Sequence, residues 1–128
     1  MMILDASAVL ALLRDERGAG AVEDAVDEGA LISAVNLSEV LAKMTDAGAT
    51  AHAAADLIVS LFIDVEPFGL ASARGAARIR GLLPSAGLSL GDRACLALAA
   101  ARGLPVVTAD RAWLDHAGRL GIDVRSIR

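Results

Sequence analysis

Residues 1–13 read MMILDASAVLALL, and the interpretation of this stretch decides the fold. Met2 to Leu4 is a short apolar run that halts at Asp5. From Ala6 to about Arg14, the residues Val9, Leu10, Leu12 and Leu13 fall on one helical face. A strand that stops at a carboxylate and turns at once into a helix is the opening of a βα unit. The rival reading is the apolar core of a secretory leader. Asp5 interrupts such a core and no basic residue precedes it, so the stretch is read as mature structure. Elsewhere no apolar run approaches the roughly 18 residues that a membrane-spanning helix needs, and a soluble protein without a membrane partner is expected.

The same alternation continues outward from this opening. Gly18 and Gly20 break the chain before a helix of about Ala21 to Glu28, and Leu31 to Val35 reads as a second buried strand. Asn36 is taken as the start of the next helix, in which Leu37, Val40, Leu41 and Met44 recur at i, i+3, i+4 and i+7, with Gly48 as its stop. A hairpin partner runs from about Thr50 to Ile63. Asp64 to Glu66 is a short strand closed by Pro67, and a helix of about Gly69 to Leu82 follows. A loop from Pro84 to Ser89 leads into an Ala- and Leu-rich helix from Leu90 to Ala101, stopped by Gly103 and Pro105. Val106 to Thr108 is a third buried strand, Asp110 opens a short helix to about Ala117, and Ile122 to Ile127 is a final edge strand. The chain is therefore of the α/β class, with a mostly parallel sheet covered by helices on both faces through right-handed crossovers. With 128 residues, no internal repeat and no linker, residues 1–128 are expected to form one domain.

Composition narrows the function classes. Hydrophobic residues make up 55 % and aromatic residues 2 %, so Ala, Leu, Val and Ile must do the packing. A net charge of −4 argues against a whole-surface basic footprint for nucleic acid, and any such contact must be local. Lys43 is the only lysine. The arginine bias suits phosphate ligation chemically, although genomic base composition explains it as well. Cys95 stands alone, which excludes an intramolecular disulfide, suits a reducing cytoplasmic setting and fits a small buried apolar role.

In a parallel sheet of this kind ligands bind beyond the carboxyl ends of the strands. Asp5 ends the first strand, Glu39 is expected in the first turn of the helix after the second, and Asp110 follows the third directly. Asp92, in the first turn of the Leu90 helix, joins them if the preceding loop returns to that edge. Four like charges brought together raise one another's pKa values unless a cation lies between them. Hard Mg²⁺ or Mn²⁺ matches carboxylate and water oxygens, whereas His52 and His116 are isolated and offer no zinc spacing. A scissile phosphate bound at such ions suggests metal-assisted phosphodiester hydrolysis without a side-chain nucleophile. Each acid also has a simpler explanation as a helix cap. Asn36 with Glu39, and Ser89 with Asp92, match a capping box, and Asp5 and Asp110 are good N-cap residues. Composition and spacing do not decide between the two readings.

The segments MILDASAVLALL (2–13), NLSEV (36–40), LSLGDRACLALA (88–99) and VVTADRAWL (106–114) each hold one acid, and together they resemble a PIN domain, most nearly the VapC-like toxins of toxin–antitoxin pairs. The resemblance covers nearly the whole chain. It implies metal-binding and catalytic roles for Asp5, Glu39, Asp92 and Asp110, an α/β/α sandwich, Mg²⁺ or Mn²⁺ dependence and cleavage of RNA. It further implies a homodimer and a cognate VapB-like antitoxin whose tail enters the active site. Ser7 and Thr108 stand where small hydroxyl residues often support the metal site in this family, a role weighed equally against that of turn residues, and Asp115 reads first as a solvated helix acid and second as a candidate to join the acids through water.

Other residues have plainer readings. Trp113 is able to stack a base, but in this family's pattern it packs on the sheet. Arg74, Arg78 and Arg80 read as a solvated helix face before a phosphate patch, and Arg93 and Arg111 each follow a proposed ligand directly. Two rival classes remain for comparison. A receiver-like Mg²⁺-binding domain calls for an acidic pair after the first strand and a late lysine, whereas Asp5 is single and Lys43 is early. A non-enzymatic binding module would use the same acids only as caps.

Overall fold

The computed structural model describes residues 1–128. Five short strands form one sheet: β1 (Met2–Leu4), β2 (Ala30–Ser33), β3 (Asp64–Glu66), β4 (Val106–Thr108) and β5 (Val124–Ser126). Their order is β3-β2-β1-β4-β5 and every neighbouring pair is parallel. Parallel neighbours need crossover connections. Helices α1 (Ala6–Leu13) and α2 (Ala19–Glu28) join β1 to β2, and α3 (Ala34–Asp46) and α4 (Ala51–Ser60) join β2 to β3. Helices α5 (Leu70–Leu82) and α6 (Leu90–Arg102) lead to β4, and a 3-10 helix (Arg111–Asp115) with α7 (Ala117–Leu120) leads to β5.

This winding determines where a ligand can sit. The chain starts at the central β1, moves out through β2 to β3, then returns to place β4 on the other side of β1. The gap between the carboxyl ends of β1 and β4 is thus the topological switch point, where helices leave to opposite faces and open a crevice.

Side chains alternate across the pleat with period two, and the two faces bury different layers. Leu4, Ile32 and Val107 pack with Val9, Val22, Val40 and Ile58 from the first four helices. Ile3, Leu31 and Val106 pack on the opposite face with Ile79, Cys95, Leu96 and Trp113. The result is the expected three-layer α/β/α arrangement.

The structure departs from the sequence expectation in four places. The second strand was expected to reach Val35, but pairing ends at Ser33 opposite Glu66, just before Pro67. Ser33 then caps α3, its Oγ accepting the Val35 N–H at 3.3 Å. Helix α3 therefore begins at Ala34 rather than Asn36, and Glu39 lies in its second turn rather than its first. The helix expected after Asp110 is split into a 3-10 turn and the separate α7, and β5 covers only Val124–Ser126. Helix α2 starts two residues early, at Ala19. Gly18 precedes it at φ 93°, and a Cβ there would stand 2.5 Å from the Ile127 carbonyl oxygen.

Candidate functional site

Asp5 lies at the switch point, at the end of the central strand, and is buried with 5 % of its surface exposed. It occupies the N-cap position of α1 yet makes no side-chain capping bond. Its Oδ2 instead accepts hydrogen bonds from Ser7 Oγ at 2.6 Å and Thr108 Oγ1 at 3.0 Å. The two hydroxyls are themselves held. Ser7 Oγ accepts the Ala109 N–H at 2.9 Å, and Thr108 Oγ1 accepts the Asp110 N–H at 3.0 Å. Helix capping therefore does not explain Asp5. A carboxylate carried into the sheet edge costs desolvation energy that a cap on the surface avoids, and burial pushes its pKa up, with repulsion from Asp92 adding to the effect against the two hydroxyl bonds.

Glu39 approaches the same edge from α3. Because Ser33 caps α3 and the helix begins at Ala34, the Asn36–Glu39 capping box does not form. Asn36 is fully buried and its Nδ2 donates to the Gly91 carbonyl at 3.0 Å, across to the first turn of α6. Gly91 in turn leaves room for the Glu39 carboxylate. A Cβ on residue 91 would lie 2.6 Å from the Glu39 carboxyl carbon and 2.9 Å from Oε2. Burial raises the Glu39 pKa first, then the charges of Asp5 and Asp92, while the Asn36 amide opposes the rise.

Asp92 follows Gly91 and does cap its helix. Its Oδ2 accepts the Ser89 N–H at 2.9 Å and Ser89 Oγ accepts the Asp92 N–H at 3.1 Å, a complete capping box. One carboxylate oxygen is thereby committed and the other is left for a ligand. Asp110 is exposed, and its Oδ1 accepts the Ala112 N–H at 3.0 Å, so it caps the 3-10 helix. Its link to Asp5 runs through its backbone N–H, which Thr108 Oγ1 accepts, and not through its carboxylate.

Asp5, Glu39 and Asp92 are thus brought within mutual electrostatic reach, and all three act on the buried Cys95 thiol beneath them. Burial first, then these three charges, pushes that thiol far up, so it stays protonated. The side chains do not form a closed cage, since no three His, Cys, Asp or Glu groups converge at ion-holding distance. The donor chemistry nevertheless fits a hydrated Mg²⁺ or Mn²⁺, which keeps several waters and takes only one or two direct carboxylates. Oxygen donors, uncompensated like charges and the absence of an imidazole among them all suit a hard cation rather than zinc.

The remaining candidates divide clearly. Asp115 is exposed at the end of the 3-10 helix. Trp113 is buried, with 1 % exposed, and packs with Ile3 and Val106. Arg74, Arg78 and Arg80 are exposed on α5, and His52 is exposed and lies 3.4 Å from Asp56. No helix is long and apolar enough to cross a membrane. Sequence reasoning missed Gly91 and assigned Asn36 to the wrong position. The only signal for Gly91 was a small residue directly preceding an acid at a helix start, and Asn36 had none.

An all-parallel, doubly wound sheet with carboxylates gathered at its switch point defines the class: a small α/β protein with an acidic carboxyl edge. The family follows from the whole chain. The PIN domain model matches residues 2–120, and the protein belongs to the PIN-domain family. No curated protein matches the sequence. Among solved structures, a toxin–antitoxin complex from Klebsiella pneumoniae superposes with a TM-score of 0.73 at 19 % identity, covering 100 % of this chain and 98 % of that one. VapBC2 from Rickettsia felis, bound to a promoter DNA fragment, gives 0.73 at 15 %, covering 98 % and 97 %. VapBC-5 from Mycobacterium tuberculosis gives 0.61 at 25 %, covering 97 % and 96 %.

Proposed function

We propose that the protein is a divalent-metal-dependent endoribonuclease, the toxin of a toxin–antitoxin pair, with Asp5, Glu39, Asp92 and Asp110 as its metal-binding and catalytic acids. The observation that carries the reading is Asp5: a buried carboxylate at the switch point, released from helix capping and oriented by Ser7 and Thr108. Membership of the PIN-domain family supports the nuclease class. The structural neighbours from toxin–antitoxin and VapBC complexes favour a VapB-like antitoxin as partner.

The residues divide the work. Ser7 and Thr108 fix the orientation of the Asp5 carboxylate, and a fixed ligand costs less entropy when it binds. Glu39 enters through the space left at Gly91 and faces the same centre. Asp92 offers its uncommitted oxygen, and Asp110 stands at the outer rim, where an incoming RNA strand would first meet it. A bound Mg²⁺ or Mn²⁺ would polarise the scissile phosphate and acidify an attacking water. Burial and mutual repulsion oppose ionisation of Asp5 and Glu39, and a bound cation would relieve both costs. We further assign the protein to the cytoplasm as a homodimer, in line with a single reduced Cys95 and with the family's habit.

Cleavage of total RNA by the purified protein tests this function. Mn²⁺ or Mg²⁺ should yield discrete fragments that vanish with EDTA and with Asp92→Asn. A folded, antitoxin-free protein that leaves every RNA intact under these conditions would count against the enzyme reading.

A further inference from the structure

Asn36 presents an anomaly. It is 0 % exposed, among the largest fully buried side chains, and its Oδ1 has no hydrogen-bond partner. A buried amide with an orphaned oxygen is costlier than an apolar side chain of the same volume, because the acceptor has lost water and gained nothing. For packing alone, Leu would serve this position better. The helix does not require the amide either, since Ser33 caps α3 and Asn36 lies inside its first turn.

Besides the contact its amide makes with Glu39 on the same helix, Asn36 makes one side-chain hydrogen bond to another element. Its Nδ2 reaches 3.0 Å across to the carbonyl of Gly91, 55 residues on, in the first turn of α6. Gly91 directly precedes Asp92, and the space beside its Cα holds the Glu39 carboxylate. Glu39 is itself three residues beyond Asn36 on α3, hence one turn along the same face. The bond therefore spans the two helices at the level where each delivers an acid. Without it, α3 and α6 are held there only by non-directional packing between helix faces, which permits sliding by fractions of an ångström.

We infer that Asn36 is a positioning residue: its hydrogen bond to the Gly91 carbonyl sets the separation of Glu39 and Asp92, and so the affinity of the acidic centre for a divalent cation. This rests on the metal-site reading given above. Supporting groups around metal ligands typically change affinity by about 10- to 100-fold when removed.

The test is Mn²⁺ titration of the purified, metal-free protein by calorimetry, with melting temperature measured separately in EDTA. Wild type, Asp5→Asn and Asn36→Leu are compared. The expected result is saturable Mn²⁺ binding by wild type, abolished in Asp5→Asn. In Asn36→Leu it is weakened about 10-fold or more, while the EDTA melting temperature is unchanged or raised. Wild-type Mn²⁺ affinity in folded Asn36→Leu overturns the proposal and leaves the metal site intact. Absence of saturable binding by wild type removes the metal-site reading, and this proposal with it. If Asn36→Leu does not fold, Asn36→Ala and Asn36→Ser replace it. Wild-type affinity in either, or failure of every amide-free variant to fold, assigns Asn36 to folding alone and equally overturns the proposal.

Discussion

Gly91→Ala separates the acidic centre from the stability of the fold. The added Cβ would lie 2.6 Å from the Glu39 carboxyl carbon and 2.9 Å from Oε2, distances no real Cβ tolerates. The conflict is with the end of a flexible side chain, so the carboxylate moves and the backbone does not. Residue 91 has a negative φ and lies in the first turn of α6, where Ala is preferred over Gly by up to about 1 kcal/mol. In EDTA the variant should thus melt at the wild-type temperature or slightly above it. Loss of one metal-binding acid from its place weakens cation affinity by about 10- to 100-fold, or about 1.4 to 2.7 kcal/mol. The assay is thermal unfolding with increasing Mn²⁺, since a ligand that binds only the folded state raises the melting temperature by mass action. Wild type should gain stability with Mn²⁺, and Gly91→Ala should need roughly ten or more times the concentration for the same gain. An undiminished Mn²⁺ response in a folded Gly91→Ala would refute the placement of Glu39 in the centre.

Two more substitutions probe other parts of the account. Burial raises the Asp5 pKa, so the folded protein holds that proton more tightly than the unfolded chain does. Metal-free stability should then fall as pH rises from the ordinary carboxylate range through the raised value, the sign opposite to that of a paired surface carboxylate. Asp5→Asn removes this slope while keeping an oxygen for Ser7 and Thr108, and in EDTA it should melt above wild type at neutral pH and converge with it in acid. Identical melting curves at every pH would show that Asp5 is not strained by burial. Gly18→Ala confronts both a positive φ of 93° and the Ile127 carbonyl 2.5 Å from the new Cβ. A loss of about 1–3 kcal/mol in denaturant unfolding is expected, and a neutral outcome would mean that the C-terminal segment shifts freely.

Much of this architecture is legible in the residues, and the parts that are not have definable causes. MILDAS announces a strand broken by an acid before a helix, and the structure keeps both the strand and the helix where that pattern puts them. The Gly/Pro-bounded Leu90 helix and its Ser89–Asp92 box are local features, decided within four residues, and they too form as read. The end of β2 is not local. Val35 has strand character, but its fate depends on Pro67 closing β3 more than thirty positions away, and so Asn36 was mistaken for a helix start. The same misreading hid the Asn36–Gly91 bond, which links helices 55 residues apart and has no short-range signature. Whether an acid caps its helix or faces a ligand also depends on tertiary contacts. Asp5 and Asp110 look equivalent in sequence, yet Thr108 and Ser7 turn Asp5 inward while Ala112 keeps Asp110 on its own helix.

A catalytic divalent cation at the carboxyl edge of β1 and β4 is the proposal on which the rest depends. Anomalous scattering from crystals saturated with Mn²⁺ tests it most directly. The expected result is a peak bordered by Asp5, with at least one of Glu39, Asp92 and Asp110 in direct or water-mediated contact, that is lost in Asp5→Asn crystals. Mn²⁺ peaks found only at other places on the protein, with this edge empty, would contradict it.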